Sequence, residues 1–470
     1  MHVARRLEST STAPHTRAPS RDVRLDWPGR RFHPGQLDSA GDTSPVSPAN
    51  TRVDEVGSDA TIFFGDALHT ATHLARHEGR GRAHLVYLDP PYASQADYAF
   101  EARLDGSASG RARRGVAYGD RWGEIGAYLE EMGPRLEAMA TLLHPEGSLW
   151  IHLDWRAAYL VRVLVEEILG RDSFLNEIVW RRAPNLGRQA ASAQFGRTLD
   201  TILVFGGPEA KIDPPTRLEK IDPGAVRIDE QGRPFTTAPR GDYTDASIER
   251  LEREGRVHRT KSGKVYIKYF LQTIDGEHYR ERRVDTLWTD VAPLRHAAKS
   301  ERTGYPTQKP LSLLERIVRC ATPEGGTVVD LFAGSGSTAE AALRLGRNVW
   351  TGDRGAVSIA TTRARLLRSG YSPSVVHVGS PCAAPRGDAI RATCRHAGDL
   401  TEITLESPDL PLAWAVDGAI EGPFHRVFHA ERTNAGPATI ERTASIPRAS
   451  KVRVRVWTDD GTMHETLAFE

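Results

Sequence analysis

The chain has 470 residues, enough for two or three domains, with 39% hydrophobic and 26% charged residues and a formal net charge of +1. That balance neither demands nor excludes nucleic acid, so local basic patches must carry such an argument. Cys320, Cys382 and Cys394 show no metal-ligand spacing and no disulfide framework, which fits a reducing cytoplasm, and no apolar run is long enough to span a membrane. In chain order, residues 1–50 are rich in Arg, Ser, Pro and Thr and read as a mostly disordered leader without the apolar core of a secretory signal. Within them, Trp27 is suited to lie on a folded body.

Residues 51–180 alternate strand-like and helix-like segments. Ile62-Phe63-Phe64 ends in Gly65-Asp66 and leads into a helical pattern, so Asp66 is either a helix cap or a ligand-facing acid. Leu85-Val86-Tyr87-Leu88 is a buried-strand run that ends in Asp89-Pro90-Pro91-Tyr92. Two prolines make that turn stiff, and open α/β sheets place their active sites at such strand ends. An acid, a fixed backbone and an aromatic ring suit holding a planar amine. The stretch from Ala93 to about Gly123 has few large aliphatics and reads as a long loop, either a lid or a solvated surface segment. Tyr128, Leu129, Met132, Leu136 and Met139 then mark a helix, Leu149-Trp150-Ile151 a strand, and Leu160 to Leu169 another helix. His84 and His152 read as structural or surface residues.

Residues 181–288 lose the alternation and form an insert. Val257 to Tyr269 reads as a basic hairpin. Arg181, Arg182, Arg188, Arg197, Arg256, Arg259, Lys261, Lys264 and Lys268, interleaved with Tyr266 and Tyr269, make this the expected DNA-recognition region; a solvated hairpin is the other reading. Over 289–370 the strand–helix alternation returns. Asp330-Leu331-Phe332-Ala333-Gly334-Ser335-Gly336-Ser337-Thr338 joins a strand to a helix, and the next strand ends at Asp353. A glycine turn followed at that distance by an acid describes an adenosine site, the acid taking the ribose hydroxyls. Ala339 stands where a dinucleotide fingerprint needs its third glycine, which favours a cofactor without phosphates, and S-adenosylmethionine fits. Residues 371–470 alternate as strands and read as a small C-terminal β domain.

Together with Arg302-Thr303-Gly304-Tyr305-Pro306-Thr307-Gln308-Lys309-Pro310, these motifs resemble the β-class DNA amino-methyltransferases, in which the acid–proline–proline motif precedes the Pro-Thr-Gln-Lys-Pro element and the glycine turn follows. The likeness spans roughly residues 60 to 370, and the tail resembles modification subunits of type III-like restriction-modification systems. It implies a Rossmann-like α/β fold with a seven-stranded sheet, circularly permuted motif order, a recognition insert and a C-terminal β domain. It also implies S-adenosylmethionine as cofactor, no metal, and methylation of the N6 amine of adenine in double-stranded DNA with the target base flipped out. By that resemblance, Asp89 and the Pro90 carbonyl accept from the amine, Pro91 stiffens the turn and Tyr92 stacks on the base. Phe332 packs against the cofactor within the Asp330, Gly334, Gly336 and Thr338 turn. Asp353 binds its ribose and Asp66 its adenine amine, and Thr307, Gln308 and Lys309 close over the methionine end. A second copy of the chain and a restriction endonuclease subunit are the expected protein partners. Four alternatives stay open: N4-cytosine methylation, a non-catalytic DNA-binding subunit on a methyltransferase scaffold, RNA as substrate, and carbon-5 cytosine chemistry through Cys382.

Overall fold

The computed structural model describes residues 24–35, 51–77, 79–103, 112–184, 195–260, 262–379, 390–407, 413–418, 424–431, 440–458 and 463–469. The chain forms two compact units, one made by residues 1–213 and 286–470 and the other by Pro214–Asp285.

The larger unit is built on one ten-stranded sheet. In chain order its strands are β1 (Thr51–Glu55), β2 (Ala60–Phe64), β3 (Ala83–Leu88), β4 (Leu143–Leu153) and β5 (Phe174–Arg181), then β6 (Leu199–Gly206), β7 (Leu287–Trp288), β8 (Thr327–Asp330), β9 (Asn348–Asp353) and β10 (Pro373–Val378). Across the sheet the order is β1-β10-β2-β9-β8-β3-β4-β6-β5-β7. The six strands from β10 to β4 run parallel, β6 is antiparallel to both its neighbours, and β1 closes the far edge antiparallel to β10. Where seven strands are expected, the sheet has ten: seven contiguous ones, β2 to β5 in sheet order, and three that extend them. The three are β10 and β1 on one side, and the two-residue β7 on the other. The added strands have a simple cause. Without β10 the edge of β2 would present unpaired backbone groups, and β10 satisfies them from Ala60 to Phe64.

Strand β3 shows why the central strands read as unbroken apolar runs. Leu85, Val86, Tyr87 and Leu88 are all buried because helices cover both faces of a parallel sheet. The helices are α1 (Ala67–Arg76), α2 (Ile125–Ala140), α3 (Ala158–Leu169), α4 (Leu311–Ala321), α5 (Ser337–Arg344) and α6 (Ala356–Arg368). Tyr128, Leu129, Met132, Leu136 and Met139 of α2 enter one continuous core with Leu88, Leu149 and Ile151. Residues 24–35 lie on this body: Phe32 sits so close to Gly133 that a Cβ there would come within 2.3 Å of its ring. Glu167, buried on α3, accepts from the Leu25 amide and pairs with Arg30 at 2.7 Å.

The segment after Tyr92 differs from the loop read in the sequence. Ala96–Arg103 and Ala112–Asp120 pair as an antiparallel hairpin. The cross-strand pair of Tyr98 and Tyr118, stacked with centroids 4.8 Å apart, supplies the apolar contact that sparse aliphatics concealed. The C-terminal residues form two small sheets that enclose Ile403, Leu405, Trp414, Val416, Ile446, Val452, Val454 and Val456. Buried ion pairs tie them to the sheet edge, Glu55 with Arg426 and Asp54 with Arg455 (3.1 Å), and Glu55 also pairs with Arg363 of α6 at 2.5 Å.

The unit Pro214–Asp285 has its own four-stranded and three-stranded antiparallel sheets and a helix, Asp245–Arg253, capped by Thr244. Its core is Ile248, Leu251 and Ile267, with Val257, Val265 and Tyr269 packed against them.

Candidate active site

Parallel strands β3, β8 and β9 end side by side, so their terminal acids converge. A cavity of about 330 Å³ opens there, lined by Asp66, Asp89, Pro91, Asp330, Phe332, Gly334, Asp353, Tyr305, Thr307 and Lys309 among others. Residues far apart in sequence are thus brought to one place, on the strand edge where open α/β sheets bind ligands.

The turn after β8 is shaped by its glycines. Gly334 and Gly336 have φ of 51° and 73°, which side chains disfavour. The two serve different ends. Gly334 passes under Tyr305, whose ring would lie 3.2 Å from an added Cβ. Gly336 is pressed against α6, where an added Cβ would lie 2.9 Å from the Thr362 Cα, so its bareness serves helix packing. Asp353 accepts from the Gly334 amide at 3.1 Å and the Gly355 amide at 2.8 Å, so the acid also fixes the glycine turn. Burial raises its pKa despite those bonds. Asp330 accepts from the Phe332 amide at 3.0 Å. Burial, with the charges of Asp89 and Asp353 adding to it against the Thr338 and Phe332 bonds, pushes its pKa up to about 7.

Asp66 has two partners. It caps α1 through the Leu68 amide at 2.9 Å and pairs with Arg135 at 2.6 Å. Burial is the largest influence and opposes its charge, but Arg135, the Leu68 amide and His69 together outweigh it and hold its pKa below the usual carboxylate value. The Pro-Thr-Gln-Lys-Pro residues divide in role. Gln308 is turned inward, its amide oxygen accepting from the Thr303 amide and hydroxyl, both at 2.9 Å, while its nitrogen donates to the Glu301 carbonyl at 2.8 Å. Thr307, at φ 59°, meets the Tyr118 hydroxyl at 3.1 Å. Lys309 reaches the other turn: its Nζ lies 2.5 Å from Asp89 Oδ2 and 2.9 Å from the Tyr92 hydroxyl.

Both oxygens of Asp89 are therefore engaged, since the Tyr92 hydroxyl donates to Oδ1 at 2.5 Å. Burial first, then the Asp89 charge, pushes the Tyr92 hydroxyl pKa well above its ordinary value and keeps it a donor. Beneath Tyr92 lies His152, to which sequence reasoning gave no role in the site. It is fully buried, and its ring is nearly parallel to that of Tyr92, with centroids 6.3 Å apart. Its nitrogens meet the Tyr87 hydroxyl at 3.1 Å and Asp200 at 3.2 Å, and Asp200 pairs with Arg182 at 2.8 Å. Burial, then the Lys309 charge, lowers the His152 pKa, so the ring stays neutral. Strand register was the available signal, because Leu88 pairs with Ile151 and so sets Asp89 beside His152.

The basic residues divide between the two units. Arg181 and Arg182 belong to the larger unit, and Arg256, Arg259, Lys264 and Lys268 to the smaller. Arg259 is paired with Glu252 at 3.0 Å, and Lys268 lies 5.0 Å above the Phe235 ring. Arg188, Lys261 and Cys382 lie outside the described residues. Among the described residues no group of His, Cys, Asp and Glu could hold a metal ion, and no helix is long and apolar enough to cross a membrane.

A glycine turn, a following acid and a rigid acid–proline–proline–tyrosine turn thus meet on one strand edge, where open α/β sheets bind ligands. The family model described as DNA methylase matches residues 83–362, and the chain belongs to that family. The chain is 26% identical to the type II methyltransferase M.EcaI of Enterobacter cloacae, an alignment covering 73% of this chain and 78% of that protein. It is 23% identical to the type III restriction-modification enzyme StyLTI Mod subunit of Salmonella typhimurium, over 63% of this chain but only 51% of that subunit. Among solved structures, the M1.HpyAVI–SAM complex aligns at 14% identity and a TM-score of 0.37, over 65% of this chain and 98% of that one. The cytosine-N4-specific PvuII DNA methyltransferase aligns at 15% identity and a TM-score of 0.39, over 67% and 89%.

Proposed function

We propose that the protein transfers a methyl group from S-adenosylmethionine to the exocyclic N6 amine of adenine in duplex DNA. The observation that carries this reading is the opening of the Asp89 turn and the glycine turn into one cavity. The lining suits a cationic adenosine ligand: five carboxylates, Asp66, Asp89, Glu131, Asp330 and Asp353, line the cavity, in which Asp330 already resists ionisation. When bound, the cofactor supplies an electrophilic methyl group on sulfur. Asp353 would hold the ribose and Phe332 would pack on the cofactor, within a turn completed by Gly334, Gly336 and Thr338. Asp66 keeps lone pairs beyond those given to Leu68 and Arg135, so it can still accept from the adenine amine.

The target amine is a poor nucleophile because its lone pair is delocalised into the base. Asp89 and the Pro90 carbonyl would accept its two N–H groups, favouring a pyramidal nitrogen whose lone pair points at the methyl. Lys309 and the Tyr92 hydroxyl already hold the two oxygens of Asp89, so the arriving amine either replaces one of them or takes a remaining lone pair on the same carboxylate. Tyr92 then stacks on the flipped base, above the fixed His152 ring. The proton lost after transfer passes to the Asp89 carboxylate, and no covalent enzyme intermediate is needed. Motif order along the chain fits a circularly permuted methyltransferase, with the acid turn on β3 preceding the glycine turn after β8. A restriction endonuclease subunit and a second copy of the chain are the protein partners this reading anticipates, and Arg181, Arg182 and the basic residues of the insert are its DNA contacts. Cytosine N4 is the second reading, because it presents the same amine chemistry to Asp89.

The test is incubation with labelled S-adenosylmethionine and unmethylated duplex DNA, followed by nucleoside analysis. N6-methyladenine, lost in Asp89→Ala, is the expected result. N4-methylcytosine would keep the mechanism and change the base. No transfer to varied DNA would sink the reading.

A further inference from the structure

The backbone just after the acid–proline–proline–tyrosine motif is unusual. Ala93 and Gln95 have φ of 56° and 60°, the left-handed region that residues with a Cβ avoid. Such strain persists only where the surroundings over-determine it, and two such residues within three positions need a strong external constraint. The constraint is one carboxylate. Asp120, only 1% exposed, ends the hairpin that begins at Ala96. Its Oδ2 accepts from the amides of Tyr92 at 3.1 Å and Ser94 at 2.8 Å. Its Oδ1 accepts from the Ala93 amide at 2.9 Å and the Trp122 indole at 2.7 Å. Its own carbonyl accepts from the Gln95 amide at 2.9 Å. Three successive backbone N–H groups thus converge on one buried anion, the arrangement of an anion nest with the anion supplied by the chain itself.

We propose that Asp120 is a positioning residue for methyl transfer: it holds the backbone from Tyr92 to Gln95 in its strained form and thereby aims Asp89 and Tyr92. The proposal rests on the methyltransferase reading above and adds the residue that shapes its catalytic turn. Asp120 touches no reacting atom. It acts through the amide of Tyr92, whose hydroxyl is the donor to Asp89 Oδ1. Charge is essential, because a carboxylate offers lone pairs to four donors, whereas an asparagine amide would turn an N–H toward half of them. The hairpin's place in the chain follows as well: its first arm leaves from the strained turn and its second returns to brace that turn.

The test is Asp120→Asn alone and combined with Ala93→Gly or Gln95→Gly, compared with the full-length wild type. Asp120→Asn should lower kcat on the order of 10²-fold, the scale set by a misplaced reacting group. Its dissociation constant for S-adenosylmethionine should stay within about twofold, since Asp120 bonds to none of the residues assigned to the cofactor. Glycine takes positive φ without penalty, so each glycine variant should recover part of the lost kcat in the Asp120→Asn background and do little in the wild type. Amide hydrogen exchange across 92–95 should quicken in Asp120→Asn, an effect read without any activity. A kcat within about twofold of wild type, unchanged exchange at those amides, or a loss of kcat that neither glycine relieves would each overturn the proposal. Absence of transfer by the wild type would instead overturn the parent reading, and the exchange of residues 92–95 would still decide the role of Asp120.

Discussion

Two turns line the cavity, and each contains left-handed backbone. In the turn after β8 those residues are Gly334 and Gly336, so the shape is carried by residue type at the position itself. In the turn after β3 they are Ala93 and Gln95, so the shape must be imposed from outside, by Asp120 at the far end of a hairpin. The glycine turn is therefore encoded by residue type at its own positions, although Gly336 also serves packing against α6. The turn after β3 is braced from a distance and depends on that brace. On the proposed function, a turn that binds a cofactor can be preset, whereas the residues around Asp89 must also accommodate an amine beside Lys309 and Tyr92.

That contrast can be broken experimentally. The largest effect expected is from Asp89→Ala, which should cut methyl transfer by about 10³-fold while leaving S-adenosylmethionine affinity nearly unchanged. Radiolabel transfer and calorimetry measured on the same sample would show whether the two turns separate in this way; a parallel loss of binding would mean they are one functional unit. Next comes Gly336→Ala. The added Cβ meets the Thr362 backbone at 2.9 Å and the φ of 73° disfavours it, so destabilisation of about 1–3 kcal/mol is expected, read as a lower Tm. An unchanged Tm would show that neither the φ of Gly336 nor its contact with Thr362 constrains the turn.

A smaller effect concerns pH. Asp330 has a pKa of about 7 in the fold, above its ordinary value of 3.8, because it is buried near Asp89 and Asp353. A carboxyl with a raised folded pKa contributes stability that is complete below the unfolded value and is lost as pH rises through the folded one. In the cofactor-free protein, Tm of the wild type should therefore fall more than that of Asp330→Asn between about pH 5 and about pH 8. Equal slopes would mean that Asp330 ionises freely and that the cavity is less hostile to charge than its lining implies. The smallest effect is expected in the separate unit Pro214–Asp285. Lys264→Glu with Lys268→Glu should weaken DNA binding evenly across sequences, without altering S-adenosylmethionine affinity. The salt slope should fall by about one for each phosphate that the variant no longer neutralises. Unchanged affinity and slope would remove this strand and turn from the DNA interface.

How much of the site was legible follows from how each part is encoded. Asp89, Asp330 and Asp353 were placed from sequence because each ends an apolar strand run, and parallel strands carry their C-terminal residues to one edge. Gly334 and Gly336 were marked by residue type, although Gly336 turned out to serve helix packing against Thr362. Lys309 was visible as part of a motif, but its partner was not, since 220 positions separate it from Asp89. The hairpin after Tyr92 reads as a loop because its pairing rests on the stacked Tyr98 and Tyr118 more than on aliphatic alternation. His152 and Asp120 were invisible for the same reason: a buried histidine or aspartate has no periodicity of its own, and only strand register or a turn's amides give it a partner.

The sequence by itself determined the strand ends, the glycine turn, the stiff acid turn and the order in which they occur, because these depend on short-range sterics and apolar runs. Only the tertiary structure decided that β1, β7 and β10 would extend the sheet, that Lys309 would sit on Asp89, and that Asp120 would hold the turn beyond Tyr92. Each of those is a pairing between distant segments. Backbone edges, buried charges and orphan amides must find partners wherever the fold delivers them, and no local pattern records which partner arrives.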